Sequence, residues 1–434
     1  MPNYDSEQVL EKGTKVTSIS GKEYTIERQL GGGGEALVYK VMGPEGEKAM
    51  KVYKLNRFHN WKKQYEHLLD LMNLPLIDEA FVMPQDIIYE NGEVKLGFIM
   101  EFVEGYYKIH DIMDGRVEMS FEGIARAAYK LSKAIAKLHK RGYVYLDINH
   151  GNVLISQEGD VKLVDCDNIS INGEGTGIKG TMYYIAPEIL RGNKMSPSRM
   201  QENFSLACFL FQLFCSAHPY MGALEEKESL LDKERELELL TNPVYMFDEQ
   251  DTSNRPVVGV HDAAILYYSM LSQKVKDMFY RSLCTGIEHP FKRVSAAAYM
   301  RVFQEMYLNT FSCPACGAQS YYQEEAEQQH CWNCQRELEV GKRMVFKGRS
   351  IRLQPDMELP KSLFADFEDD KEVVLKVVEH PTQKGLWGIT NCTDKVINLF
   401  SKSGNHYIVK PNRSISISEG NQFTVCKEEV KIIS

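Results

Sequence analysis

The stretch YVYLDINHGNVLI, Tyr143 to Ile155, sets Asp147 and Asn152 five residues apart and then runs into a β-like apolar tail. A carboxylate and an amide at that separation on one short loop raise phosphoryl transfer, a reaction carried mainly by positioning and charge neutralisation. Upstream, LGGGGEALVYK (Leu30 to Lys40) places a glycine run between two β-like runs. Backbone amides there can approach phosphate oxygens without side-chain obstruction. A glycine run also makes a plain turn, so this segment alone leaves both readings open. Lys51, thirteen residues after Val38 and inside AMKVY, is an ammonium in an apolar strand. Such a group needs a counter-ion, and Glu66 in the following helical segment is the expected one. Asp165 closes the run VKLVD.

The elements that must position these residues fall into two blocks. From about Gly21 to Tyr107 the chain reads as strand-rich with one helix. EYTIERQL, ALVYKVM and EKAMKVYKL are β-like, and GPEG supplies a turn. NWKKQYEHLLDLMN carries Trp61, Tyr65, Leu68, Leu69 and Met72 at helical spacing. From about Ser120 to Asn309 the character is helical. FEGIARAAYKLSKAIAKLHKRG aligns Ile124, Ala128, Leu131, Ile135 and Leu138 on one stripe and stops at Gly142. A strand-rich lobe followed by a helical one gives an α+β, two-lobe arrangement with a cleft at the junction as the natural ligand site.

Bulk properties exclude several classes. The 434 residues carry a formal net charge of -9 with a pI of about 5.8. No global basic field recruits nucleic acid or anionic lipid, so neither is an expected partner. MPNYDSEQVLEKG lacks a charged-then-apolar signal pattern. LACFLFQLFC, Leu206 to Cys215, is too short to span a bilayer and reads as a buried core helix. Of ten cysteines, Cys166, Cys208, Cys215, Cys284, Cys392 and Cys426 are scattered, several in apolar surroundings. Reduced thiols and a cytoplasmic location follow as expectations.

Glycine loop, strand Lys, helix Glu, extended segment, Asp147 and Asn152, Asp165, and then GTMYYIAPE (Gly180 to Glu188) occur in one order and at consistent distances. This set resembles the eukaryotic-like Ser/Thr protein kinases of the bacterial kind, over roughly Gly21 to Asn309. The resemblance implies a protein kinase fold that takes ATP and Mg2+ and acts on protein hydroxyls. Carried over residue by residue, Leu30, Gly31 and Gly33 would cover the nucleotide. Val38, Ala49 and Leu154 would sandwich the adenine, with Met100 as gatekeeper and Glu101 and Val103 reading the adenine edge. Lys51, oriented by Glu66, would hold the phosphates. Asp147 would accept the substrate hydroxyl's proton, while Asn152 and Asp165 would hold magnesium. Arg293 would pair with Glu188 as an architectural cation.

Departures from the family pattern carry their own expectations. Ala36 stands for the third loop glycine and Glu35 for the aromatic tip. Tyr145-Leu146 replace the usual His-Arg, which leaves no cation for a phosphorylated activation loop. Activity independent of phosphorylation at Ser170, Thr176 or Thr181 is therefore expected, together with autophosphorylation. DCD replaces the Asp-Phe-Gly triplet, putting Cys166 where Phe would be and Asp167 where Gly would be, and ENFSLA puts Glu202 where the family has Asp. Asn149 stands where a Lys helps neutralise the transferring phosphate; an amide can donate a hydrogen bond there but no charge. The DINHGN loop also resembles that of aminoglycoside- and choline-type small-molecule kinases. These lack an Ala-Pro-Glu segment, so protein substrates are favoured. An ATP-binding scaffold without turnover is the other competing reading, against which Lys51, Asp147, Asn152 and Asp165 are all retained.

CPACGAQSYYQEEAEQQHCWNC pairs Cys313 with Cys316 and Cys331 with Cys334 across fourteen residues. Two such knuckles complete a tetrahedral S4 site and resemble a zinc ribbon with structural Zn2+; a redox pair or disulfides are the alternatives. His330 reads as a bystander. Glu324, Glu325, Glu327, Glu337 and Glu339 argue against phosphate binding and for a protein partner or a spacer role. Beyond it, KGRSIRL and WGITNCTDKVINLFSKSGNHYIVKPNRSISISEGNQFTV resemble forkhead-associated domains, β-sandwiches that read phosphothreonine; an unrelated all-β sandwich is the alternative. The expected organisation is an extension over 1–20, a kinase domain over 21–310, a zinc ribbon over 311–340 and a β-sandwich over 341–434.

Overall fold

The computed structural model describes residues 9–54, 61–90, 95–173, 180–192, 196–227, 232–324, 329–339, 341–380, 382–383 and 385–433. Thr176, Glu325 and Glu327 lie outside them. The chain divides into two compact units. The first comprises Met1–Glu118, Lys130–Ile265 and Phe279–Ala296; the second comprises Met119–Tyr129, Leu266–Met278 and Ala297–Ser434. The compact units thus follow a different line from the sequence boundary at residue 310.

The first unit opens with an antiparallel sheet of six strands: β1 (Lys15–Thr17), β2 (Glu23–Gly32), β3 (Ala36–Gly43), β4 (Gly46–Tyr53), β5 (Asp86–Glu90) and β6 (Lys95–Glu101), in the order β1-β2-β3-β4-β6-β5. Its helix, α1, is Trp61–Met72 and buries Leu68 and Leu71. Leu68 joins Ala36, Ala49, Tyr53, Phe98 and Met100 in one apolar cluster. The ladder fixes the register that matters: Lys51 lies opposite Val38 on one side and Phe98 on the other, and Ala49 lies opposite Met100. β2 and β3 close through Gly31↔Val38 and Gly32↔Leu37, so the glycine run is the tip of a hairpin.

Gly97 of β6 is fixed by a close approach. A Cβ built there would lie 2.3 Å from the backbone oxygen of Lys51. Backbone cannot give way as a flexible side chain can, so Gly97→Ala must push β4 and β6 apart. Overpacking of this kind costs about 1–3 kcal/mol. We expect a denaturant midpoint lowered accordingly and weaker ATP binding, because the displaced strand carries Lys51. A variant matching wild type in a urea titration and an ATP titration would contradict this.

The rest of the first unit is mainly helical, with short strands at Tyr107–Lys108, Tyr143–Val144, Val153–Ile155, Val161–Leu163 and Ser170–Ile171. The helix Phe121–Lys140 begins in the second unit and runs into the first. The helix Arg199–Cys215 is buried from Glu202 to Cys215, as expected for a core helix. Its start is held by the Gln201 side chain, whose Oε1 accepts from the Ser198 N–H at 3.2 Å. Among the described residues, no helix is long and apolar enough to cross a membrane.

In the second unit, strands Thr310–Ser312 and Gln319–Tyr321 pair as a short ribbon at the first cysteine knuckle. Beyond it are two antiparallel sheets, of six and four strands. Both contribute to one core that includes Phe346, Ile351, Leu375, Ile389, Leu399 and Phe423. Arg349 of the KGRSIRL segment is buried. It donates to the carbonyls of Leu363 and Arg301 and to Gln304 Oε1 at 3.0–3.3 Å. Gln304 donates in turn to Tyr129 Oη and Ser362 Oγ at 3.1 and 3.0 Å. The C-terminal sheets therefore pack on chain segments that precede residue 310.

Candidate active site

The hairpin of Val153–Ile155 with Val161–Leu163 follows Asn152 at one end and leads into Asp165 at the other. It places Asn152 beside the segment entering Asp165, where the Val164 N–H donates to the Asn152 carbonyl at 2.9 Å. At the other end of the loop, Asn149 Nδ2 donates to Asp147 Oδ1 at 2.7 Å, and Asn152 Nδ2 donates to Asp147 Oδ2 at 2.6 Å. Each oxygen of the Asp147 carboxylate is thus held by a separate amide. Asn149 Oδ1 meanwhile accepts from the N–H groups of Gly151 and Asn152 at 2.7 and 3.1 Å. Asn149 is therefore a brace for the loop, and its amide is spent on Asp147 instead of standing free to donate to a phosphate. Burial raises the Asp147 carboxyl above its ordinary range and Asp165 adds to this, while the two asparagine amides and Lys51 oppose it.

The expected Lys51–Glu66 pair is corrected. Lys51 is buried, and its Nζ lies 2.9 and 3.1 Å from the two carboxylate oxygens of Asp167 and 3.3 Å from Asp165 Oδ1. Glu66 is exposed on the outer face of α1. The inner face offers Gln64 and His67: Gln64 Nε2 donates to Tyr53 Oη at 2.9 Å, and His67 Nε2 lies 3.1 Å from the Asp167 carbonyl. Tyr53 Oη donates to Asp167 Oδ2 at 2.5 Å. Burial alone would lower the Lys51 ammonium, but Asp167 and Asp165 outweigh it and leave the group above its ordinary value. Positive φ falls at Asp165 (58°) and not at Asp167, which sits in a short turn, Cys166–Asn168. Its lack of glycine's freedom therefore carries no penalty there. Cys166 is fully buried and donates to the Leu163 carbonyl at 3.1 Å.

Glu202 explains how a loop without His-Arg is held. Its carboxylate is wholly buried and accepts from the N–H groups of Tyr145 and Leu146 at 2.9 and 3.4 Å, and its other oxygen lies 2.6 Å from His139 Nε2. Tyr145 Oη donates to the Val164 carbonyl, tying the loop to the residue before Asp165. Leu146 takes a left-handed φ of 61°, which turns the chain ahead of Asp147. Glu188 and Arg293 form the expected buried pair, with two parallel hydrogen bonds of 2.7 Å.

On the nucleotide side, Val38, Ala49, Met100 and Val103 belong to one apolar cluster, which Val164 joins. Leu154 is half-buried and Leu30 is exposed. Gly31 and Gly33 have open space where a Cβ would lie, whereas at Gly32 it would meet the Leu37 side chain at 2.5 Å. Glu101 ends β6 opposite Lys48, and its side chain pairs with Lys162 at 2.8 Å. Sequence reasoning missed Asp167 as the counter-ion and Tyr53 and Gln64 as its neighbours. The available signal was the second acid in DCD; the burial of Leu68 and Leu71, which turns Gln64 inward and Glu66 outward, comes only with the fold.

In the second unit, the sulfur atoms of Cys313, Cys316, Cys331 and Cys334 all lie within 4.8 Å of one another. Cys313 and Cys334 approach to 3.7 Å and Cys316 and Cys331 to 3.6 Å, too far for disulfide bonds. His330 forms an isolated bridge with Glu337 and is not in the cluster.

A strand-rich lobe with a paired Lys, a loop with a doubly held Asp, and an Asp-ended hairpin together define the protein kinase class. The protein kinase domain family matches residues 24–304, and the chain belongs to that family. Among curated proteins, the "Probable serine/threonine-protein kinase PknB" of Bifidobacterium longum is 25% identical over 227 residues, 48% of this chain and 32% of the relative. The serine/threonine-protein kinase AtPK1/AtPK6 of Arabidopsis thaliana is 21% identical over 239 residues, 53% of this chain and 50% of the relative. Rat serine/threonine-protein kinase Sgk1 is 24% identical over 217 residues, covering 48% and 49%. The chain thus spans a third to a half of the length of these relatives.

Proposed function

We propose that the chain is a Ser/Thr protein kinase, transferring the γ-phosphate of ATP to protein hydroxyls. The observation that carries this reading is the Asp147 carboxylate, oriented by two amides on a loop anchored to a buried Glu202. Phosphoryl transfer needs little covalent chemistry, so fixed positions of a few polar groups supply most of the rate. Asp147 would accept the hydroxyl proton, and its burial favours a group able to take one. With its Nδ2 committed to Asp147, Asn152 leaves Oδ1 for a cation, and Asp165 supplies a carboxylate. These donors fit Mg2+, which when bound would neutralise phosphate charge. Lys51 would hold the phosphates, Val38, Ala49, Leu154 and Met100 the adenine, Glu101 and Val103 its edge, and Leu30, Gly31 and Gly33 the flap.

The test is phosphoamino acid analysis after incubation with γ-labelled ATP and Mg2+, on the protein itself and on a basic protein acceptor. Phosphoserine or phosphothreonine is expected. ATP binding with no labelled protein would favour the scaffold reading, and label confined to small molecules the small-molecule reading. Leu146 offers no cation to a phosphorylated loop, which supports activity without that modification. A phosphomimetic change at Ser170 is expected to give no large gain in rate.

The four cysteines are proposed to hold structural Zn2+. Sulfur atoms on a tetrahedron with Zn–S bonds of about 2.3 Å lie about 3.8 Å apart, close to the observed 3.6 and 3.7 Å. We expect about one zinc per chain by elemental analysis, lost in Cys316→Ser with loss of order in the module. A metal-free protein with disulfide-linked cysteines would contradict it. For the tail, two sheets about one core support a β-sandwich that serves as a docking or regulatory module. Arg349, in the KGRSIRL segment of the forkhead-associated resemblance, is committed to internal bonds, which argues against its reading phosphothreonine. A cytoplasmic setting, where thiols stay reduced, is part of the same proposal.

A further inference from the structure

We propose that Asp167 is the positioning carboxylate of Lys51, so that the lysine is fixed by the segment following Asp165 and not by an acid on α1. This rests on the kinase reading above. A buried ammonium costs several kcal/mol unless it is paired and hydrogen-bonded. In this site both requirements are met from one side. Asp167 is itself buried and gives both of its oxygens to Lys51, one of which also accepts from Tyr53. Asp165 adds a third oxygen at 3.3 Å. With its oxygens engaged, Asp167 is held as a partner for the lysine, and Asp165, one-third exposed at its side chain, remains the carboxylate open to the cleft.

Helix α1 reaches the lysine indirectly and without charge. Gln64 bonds Tyr53, Tyr53 bonds Asp167, and His67 contacts the Asp167 carbonyl. An amide–phenol–carboxylate chain can transmit the position of α1, but the attraction that holds the ammonium comes from the chain segment that also carries Asp165. The cation-holding acid and the lysine's counter-ion are therefore two residues apart on one short turn, Cys166–Asn168 and its preceding residue. Any movement that places one places the other. Glu66, on the opposite face of α1, contributes nothing to this arrangement.

The test combines kinetics with the chemistry of the lysine itself, in the full-length chain. Lys51 acylation by an amine-selective reagent, quantified by mass spectrometry at one fixed pH, reports how firmly the amine is held and does not depend on turnover. Asp167→Asn removes one neighbouring negative charge. We expect faster Lys51 acylation by about tenfold, as the amine loses the carboxylate that holds it, and a kcat/KM for ATP lowered about a hundredfold. Tyr53→Phe, a milder change that keeps the ring, is expected to move both readouts in the same direction by a few-fold. Glu66→Gln is expected to move neither. Unchanged acylation in both Asp167→Asn and Tyr53→Phe would overturn the proposal, as would a Glu66→Gln loss equal to that of Asp167→Asn. Acylation is read without phosphoryl transfer, so the role of Asp167 is decided even in a protein that lacks kinase turnover.

Discussion

Replacing Glu202 with Ala is expected to disable phosphoryl transfer and to lower stability at the same time. The carboxylate accepts from two consecutive backbone N–H groups, those of Tyr145 and Leu146, and meets His139 with its other oxygen, all away from water. Removing it leaves buried donors unsatisfied, at about 1–3 kcal/mol each. The same N–H groups precede Asp147 directly, so the loop loses its anchor where placement matters most. A displacement of about 1 Å costs on the order of a hundredfold in rate. We expect an unfolding free energy from urea titration lowered by several kcal/mol and residual transfer near one percent. Glu202→Gln keeps the shape but can present only one acceptor oxygen, and it should fall between. Wild-type transfer in Glu202→Ala would show that the loop is held by other means.

Arg293→Met should be among the most destabilising single changes in the chain. Arg293 donates to both oxygens of Glu188 at 2.7 Å, donates to the Met200 carbonyl at 3.0 Å, and stacks its guanidinium over Phe204 at 5.0 Å. Its side chain is fully shielded from solvent. Truncating one partner strands a buried carboxylate, which costs about 3–5 kcal/mol. The double change Glu188→Gln with Arg293→Met removes the uncompensated charge and is expected to recover part of that loss, giving a coupling well above the error of a double-mutant cycle. Additive losses would mean that the pair holds nothing together.

The sequence is most informative where a residue's role depends on local spacing. Asp147, Asn152 and Asp165 meet because one loop and one short hairpin separate them, and the strand alternation that buries Ala49 and Met100 also turns Lys51 into the cleft. Glu188–Arg293 is legible because a buried acid demands a cation. The α1 acid is misassigned for a physical reason. A residue count cannot tell which helix face turns inward, and the burial of Leu68 and Leu71 points Gln64 and His67 at the site, leaving Glu66 in solvent. From residue type alone, Asn149 reads as a weak substitute for Lys, because its bonds to Asp147 and Gly151 depend on the fold of the turn. The tail's strands are legible from their turns. Its packing through Arg349 is not, since Arg349 bonds Gln304 and Gln304 bonds Tyr129, 175 positions away along the chain.

The most direct measurement is the rate of γ-phosphate transfer to protein by wild type and by Asp147→Asn, with Mg-ATP affinity determined for both by calorimetry. Loss of a positioned proton acceptor costs about 100- to 10,000-fold. We expect label in wild type, a drop of that size in the variant, and ATP affinities within a few-fold of each other. Equal labelling by both proteins, or a wild type that binds Mg-ATP tightly and never transfers its phosphate, would contradict the role assigned to Asp147.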